Sequence, residues 1–245
     1  MPKQTDRFTD HPPLRVIAIV GCDGSGKSAL ASRLVAYFSL LEPTELLYLG
    51  QSSGRIGEWI SGLPLIGAPF GRYLRAKASQ VHQRSSAPPG AFTALVIYLL
   101  SCWRAYKFKR MLVRTEQGYL LVTDRFPQAE VAGFSFDGPQ LAKTVGGNWW
   151  VRTLRKREKE MYQWMASYPP MLLIRLDIDA ETAHLRKPDH TLQALREKIE
   201  VIPHLAFNGA VICDLNAHNP KDDVFIESLR VINAYFSLLH DQVCD

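Results

Sequence analysis

The feature that most constrains this chain is a glycine-rich octapeptide, Gly21-Cys22-Asp23-Gly24-Ser25-Gly26-Lys27-Ser28, set between an apolar run and a helical pattern. The run before it, Leu14 to Val20, is rich in β-branched residues, as in a strand buried on both faces of a parallel sheet. The residues after it, Ala29 to Leu40, follow a helical period. The octapeptide fits G-x-x-x-x-G-K-[ST]. Its glycines let the backbone curl so that successive N–H groups face one phosphate, and the following helix points its positive end at the same group. Lys27 is then placed to reach β- and γ-phosphates, and the Ser28 hydroxyl to ligate Mg²⁺. Residues Gly21, Cys22, Asp23, Gly24, Ser25, Gly26, Lys27, Ser28 and Ala29 are therefore the expected cradle for a nucleoside triphosphate, ATP with Mg²⁺. The bland alternative, a Gly-rich turn beside a chance lysine, does not account for the strand before it and the helix after it. The motif alone does not choose among kinases, GTPases and ATPases.

Strand and helix patterns alternate along the rest of the chain. Short apolar runs at Glu45–Gly50, Tyr119–Thr123, Met171–Ile178 and Ala210–Asp214 read as strands. Helical patterns run from about Ala91 to Gln117, Val151 to Tyr168, Ala180 to Lys187, Thr191 to Ile202 and Asp223 to His240. The alternation predicts a three-layer α/β fold of the P-loop NTPase type, with a five-stranded, mostly parallel sheet. No sharp linker or repeat divides the chain. One domain over residues 1–245 is expected, with 51–90 and 127–150 as elaborations near the strand ends.

Composition sets the outer limits. With 47% hydrophobic and 22% charged residues among 245, the chain can bury a sizeable core, and fibrous or disordered readings fail. The 29 Lys and Arg against 24 Asp and Glu leave a net charge of +5. That mild excess suits a small anionic ligand and is too scattered to argue for nucleic acid. Four dispersed cysteines, Cys22, Cys102, Cys213 and Cys244, form no CxxC pair, which points to reduced thiols. Residues 1–13 carry no apolar signal core, and the apolar stretch Ala91–Trp103 is too short to span a bilayer, so a cytoplasmic protein with no membrane partner is expected. That stretch is read as a buried helix and a candidate homodimer face. Seven scattered histidines show no metal spacing.

Two further segments carry a resemblance. Asp124-Arg125-Phe126 directly follows the strand YLLVT, and Asp23 stands two residues after the first glycine of the loop. A carboxylate and a guanidinium at a strand's C-terminal end project into the crevice where α/β sheets bind ligands. Together with GCDGSGKS and the long helix ending near Gly118, these residues resemble the thymidylate kinase family over most of residues 14–240. The resemblance implies a phosphotransferase that moves the γ-phosphoryl group of Mg·ATP to a nucleoside monophosphate. It implies that Asp23 lies near the acceptor sugar or helps organise Mg²⁺, that Arg125 contacts the acceptor phosphate, and that Asp124 belongs with Ser28 to the metal–water shell. The stretch DLNAHNPKDDV, which contains Asn216, is similar to the family's adenine-side loop. Position 24 is Gly, so the loop supplies no arginine. Family members of that type draw cations from a lid, here about residues 184–200, with Arg186 and Lys187 first, Arg196 third, and Lys198 also available.

The sequence departs from the family after the second strand, where Gly50-Gln51-Ser52-Ser53-Gly54-Arg55 replaces an Arg-Glu-Pro element. Arg55 stands as a substitute acceptor ligand. Arg104, in Cys102-Trp103-Arg104, is either another acceptor clamp or a side chain that snorkels to the surface. Trp149-Trp150 is read as a core edge or interface before a pocket cap. The run Arg152–Lys159 is read as a solvated helix face. Asp179 or Glu181 is expected at a helix N-terminus. A neutral hydroxyl acceptor, such as a nucleoside or sugar, is the alternative substrate. A regulatory NTP-binding module is the alternative outside enzymes, although residues 210–224 hold no N-K-x-D guanine-reading element.

Overall fold

The computed structural model describes residues 11–50, 90–143 and 146–243. Arg55, Cys244 and nearly all of the 51–90 segment lie outside the described residues. In chain order the elements are β1 (Leu14–Gly21), α1 (Lys27–Phe38), β2 (Thr44–Tyr48), α2 (Ala91–Glu116), β3 (Leu120–Asp124), α3 (Trp149–Ala166), β4 (Pro170–Asp177), α4 (Ala180–Arg186), α5 (Leu192–Val201), β5 (Ile212–Asn216) and α6 (Lys221–Val243). Among the described residues no helix is long and apolar enough to cross a membrane.

The five strands pair in the order β2-β3-β1-β4-β5, every pair parallel, where the sequence led us to expect a mostly parallel sheet. Helices flank this sheet in the three-layer arrangement of P-loop NTPases. The β-branched runs explain why the strands lie where they do. Val16, Ile17, Ala18 and Ile19 of β1 have no exposed surface, and all five residues of β3 are buried. A strand with no wet face gains nothing from alternating polar residues. Ile17 and Ile19 meet Leu30, Leu34 and Phe38 of α1 and Ile174 of β4 in one core.

Register positions the site. Ile19 stands beside Asp124 of β3 on one side and Ile174 of β4 on the other. The chain leaves β1 toward β2 on one side of the sheet and later crosses to β4 on the other. The crevice beyond the C-terminal end of β1 is thus a topological switch point, where open α/β sheets bind ligands.

By its internal contacts the chain forms two compact units. The first, Met1–Tyr48, Lys109–Phe126 and Ala166–Asp245, carries the sheet. The second comprises Leu49–Phe108 and Pro127–Met165. Its described core joins Ala94 and Ile97 of α2 to Leu141 and to Val151 and Leu154 of α3. Two polar knots hold it. Buried Glu158 accepts from Ser101 Oγ (2.6 Å) and from the Leu141 N–H (2.7 Å). Burial pushes its carboxyl up, against the opposing pull of those hydrogen bonds. Arg104, 1% exposed, pairs with Asp137 Oδ1 at 3.0 Å and donates to the Asp137 carbonyl at 3.2 Å. It therefore does not snorkel: an arginine buried this deeply needs a fixed partner, and Asp137 supplies it.

Helix ends follow local chemistry. Asp179 caps α4 by accepting from Thr182 N at 2.7 Å, as its sequence position suggested. At the end of α2, Gly118 takes φ 86° while its N–H reaches the Thr115 carbonyl and the Tyr119 N–H reaches Arg114, closing a Schellman turn. A Cβ at Gly118 would meet nothing within 4 Å, so a side chain there brings backbone strain alone. Gly118→Ala is expected to lower stability by about 1–2 kcal/mol, measured from the urea midpoint, while Gly118→Asn recovers part of the loss.

Candidate functional site

The loop between β1 and α1 holds its shape through residues that have no alternative. Gly24 has φ 90°, and a Cβ there would lie 2.5 Å from the Ala183 carbonyl oxygen of α4. No side chain fits, which is the physical reason that this loop carries no arginine of its own. Lys27, at the first turn of α1, is 8% exposed and donates from Nζ to the carbonyls of Cys22 (2.7 Å) and Gly21 (3.0 Å). Burial is the main cause that lowers its ammonium to about 8. Asp23 acts in the opposite sense, and the neighbouring Arg125 adds to the lowering.

Ser28, one residue on, donates from Oγ to Asp124 Oδ2 at 2.5 Å. The other carboxylate oxygen, Asp124 Oδ1, is buried and has no hydrogen-bond partner among the described residues. A buried acceptor left open at the end of a central strand is costly unless a cation or donor uses it. A hydroxyl and a carboxylate are also the hard oxygen donors that Mg²⁺ takes, with one or two carboxylates enough when phosphates complete the shell. The residues present fit the ion.

Asp23 is the most heavily engaged group. Its Oδ1 accepts from Arg125 Nη2 at 3.0 Å. Its Oδ2 accepts from Lys198 Nζ of α5, and His190 Nδ1 stands 4.0 Å from the same oxygen. Burial alone would raise this carboxyl, but Lys198, Lys27 and Arg125 together hold it well below the usual carboxylate range. Arg125 reaches it from a left-handed conformation (φ 71°), sparsely populated for a residue with a side chain and sustained by its N–H bond to the Ile19 carbonyl.

Around these residues lies a cleft of about 540 Å³, inside the size range of small-molecule sites. Asp23 to Ala29, Asp124 and Arg125 line it, with Arg186 and Lys187 closing one side. Arg186 Nη1 is held by the Ala217 carbonyl at 2.9 Å. The structure thus brings most of the expected site residues together and separates several others. Cys22 faces the core, 2% exposed, with its thiol toward the Leu195 carbonyl, so only its backbone belongs to the loop. Asn216 does not line the cleft; its side chain accepts from the His218 N–H at 2.9 Å, and Ala217 and Asn219 take the place expected of it. Arg196 pairs with Glu181 at 2.7 Å on the exposed outer side of α5, away from the cleft. Arg104 belongs to the second unit and is engaged by Asp137.

Lys198 is the residue whose importance the sequence understated. It was one lid cation among four, yet it is 9% exposed and bonded to a carboxylate 175 positions away. A signal was available: it interrupts the apolar stripe Leu192, Leu195, Ile199 and Ile202, and a lysine on such a stripe needs a buried partner. Arg33, Tyr48 and Lys221 also line the cleft without any motif to announce them. Lys198→Met removes one of the cations around buried Asp23 and is expected to cost about 2–3 kcal/mol in urea unfolding, below the full penalty for an orphaned charge because Arg125 remains. Lys198→Arg should recover most of that loss.

No family model matches the chain. It is 66% identical over 225 residues to the Escherichia coli (strain K12) protein named uncharacterized ATP-binding protein YghS, covering 92% of this chain and 95% of that one. It is 38% identical over 218 residues to the protein of the same strain named uncharacterized ATP-binding protein YghR, covering 89% and 86%. Identity at that level over nearly the full length of both relatives places this chain in the YghS and YghR family.

Proposed function

We propose that the chain binds Mg·ATP at the loop and transfers its γ-phosphoryl group to a small acceptor, first of all a nucleoside monophosphate. The observation that carries this reading is the Ser28–Asp124 pair at the mouth of the loop, with Asp124 Oδ1 buried and open. The names of YghS and YghR support ATP as the nucleotide.

The work of the residues follows from their placement. Backbone N–H groups from Gly24 to Ser28, with the α1 N-terminus behind them, hold the β-phosphate. Lys27 exchanges its two carbonyl partners for phosphate oxygens and carries their charge. Ser28 and Asp124 would hold Mg²⁺, which would supply positive charge against the negative charge developing in the transfer. Arg186 and Lys187 face the transferring group from the α4 end, where a cation stabilises the equatorial oxygens. Arg125, steered by Asp23, lies where it can contact the acceptor. Phosphoryl transfer asks a protein mostly for positioning and charge neutralisation, and these are the residue types present.

One observation favours a hydroxyl acceptor as the second reading. Arg125 is already bonded to Asp23 and Arg104 to Asp137, which leaves less guanidinium for an acceptor phosphate than a monophosphate kinase uses.

ADP release measured against a panel of nucleoside monophosphates, nucleosides and sugars separates the two: stimulation by a monophosphate is expected, and stimulation by hydroxyl compounds alone selects the second reading. Tight GTP binding with no ADP release from any acceptor would turn the assignment to a regulatory module. Lys27→Ala should fold and lose turnover by at least about a hundredfold, the scale of one preorganised charge at the reacting group.

The pH dependence has a definite sign. Phosphates bind the protonated Lys27, and the free site loses that proton above about 8. Triphosphate affinity by calorimetry should therefore stay level from pH 6 to 7.5 and then fall, by up to about tenfold per pH unit. Lys27→Ala should abolish that fall.

A further inference from the structure

The outer face of α3 carries features that the phosphate cleft does not use. Its inner face is buried through Val151, Leu154, Glu158, Tyr162 and Met165, which fixes the helix in place. Arg152, Arg155, Lys156 and Lys159 stand at i, i+3, i+4 and i+7, so they share one side of the helix. All four line a second cleft of about 460 Å³, whose remaining wall is alanines and a proline of the 129–142 segment and one carboxylate, Glu130. Arg155 donates to the Gly146 carbonyl at 2.6 Å, and Lys156 lies 3.9 Å from Glu160. Among the described residues, the side chains of Arg152 and Lys159 have no hydrogen-bond or ion-pair partner.

The same helix begins with Trp149 and Trp150, which are 59% and 54% exposed. Their rings lie 4.4 Å apart at 30°. Trp149 precedes Arg152 and Lys156 by three and seven positions and so falls on the cationic side. Tryptophan is highly buried on average, and an exposed pair beside concentrated charge marks a contact surface. An aromatic platform followed by a cationic groove is the arrangement that binds an aromatic base together with its phosphate.

We propose that this face of α3 is a second ligand site, which takes a nucleotide-class molecule with its base on Trp149 and Trp150 and its phosphate among Arg152, Lys156 and Lys159. The site lies wholly within the second unit and shares no residue with the cleft at the phosphate loop. Its ligand binds whether or not that cleft turns over. The four cations against Glu130 and Glu160 favour an anion, and the cleft's volume of about 460 Å³ suits a single nucleotide.

The test is titration of AMP, inorganic phosphate and a dT10 oligonucleotide by calorimetry and tryptophan fluorescence. The proteins are the full chain, Lys27→Ala, Arg152→Gln/Lys156→Gln and Trp149→Ala/Trp150→Ala. AMP binding should persist in Lys27→Ala and weaken about tenfold or more in both α3 double variants. Inorganic phosphate should bind more weakly, sensitive to the Arg/Lys variant and indifferent to the Trp variant. The proposal is overturned if AMP binding disappears with Lys27→Ala, if either α3 double variant binds AMP as the unaltered chain does, or if only the oligonucleotide binds. Because the substituted side chains are at the surface, unchanged circular dichroism is expected. Should one double variant unfold, Lys159→Gln and Trp149→Phe singly take its place, with a several-fold loss of AMP affinity expected for Lys159→Gln and none for Trp149→Phe.

Discussion

The carboxylate of Asp23 is the point on which the rest of the cleft beside the glycine-rich loop depends. It sits in the glycine-rich loop, almost without solvent, and would be expensive to keep ionised alone. Lys198 and Arg125 bond to it and Lys27 stands close by, so one buried charge organises three segments of the chain. Those segments are the loop after β1, the end of β3 and helix α5. Removing any partner changes what the others face, because a charge in a low-dielectric setting is felt by all its neighbours. Within this cluster burial is the main reason that Lys27 rests with a lowered affinity for its own proton, and the Asp23 charge opposes it.

Backbone strain is also present at this place. Gly24 and Gly26 take left-handed conformations, which cost a glycine little, but Arg125 adopts one with a full side chain. The return is direction: from that conformation the guanidinium turns back over the end of β3 toward Asp23. Parallel pairing makes the device possible. Ile19 and Asp124 are register partners, so the residues that follow each strand emerge at the same edge of the sheet. There Asp124 lines the cleft and its Oδ2 accepts from Ser28.

Much of the fold was legible because it rests on local patterns. The five strands lie within about two residues of their apolar runs, and for β1, β3 and β4 the reason is burial, which in a parallel sheet demands a continuous apolar stretch. The turn between β1 and α1 was legible for a related reason: the positive φ of Gly24 and Gly26 is a local demand that glycine meets. Asp179 at the start of α4 and Gly118 at the end of α2 are further cases, because a cap needs only the residues of one turn. Where a side chain went elsewhere than the linear pattern suggested, its partner in the fold decided. Asn216 was placed by its neighbourhood to an expected adenine loop, but the turn to His218 engaged its side chain. Arg196 and Lys198 stand two positions apart on one helix, and only their angular positions send one to solvent and the other to Asp23.

By itself, then, the chain's order of apolar runs and turn residues determined an α/β layer structure with a glycine-rich loop at the end of its first strand. Tertiary structure decided which charges meet. Secondary structure follows from interactions within a few residues, which a linear pattern records. Ion pairs such as Asp23–Lys198 and Arg104–Asp137 join residues far apart in the chain, and depend on which helix faces turn inward and on how strands align. A row of letters shows the cations of α5 and α3 as equivalent, and folding makes one a buried anchor and leaves four others along an open groove.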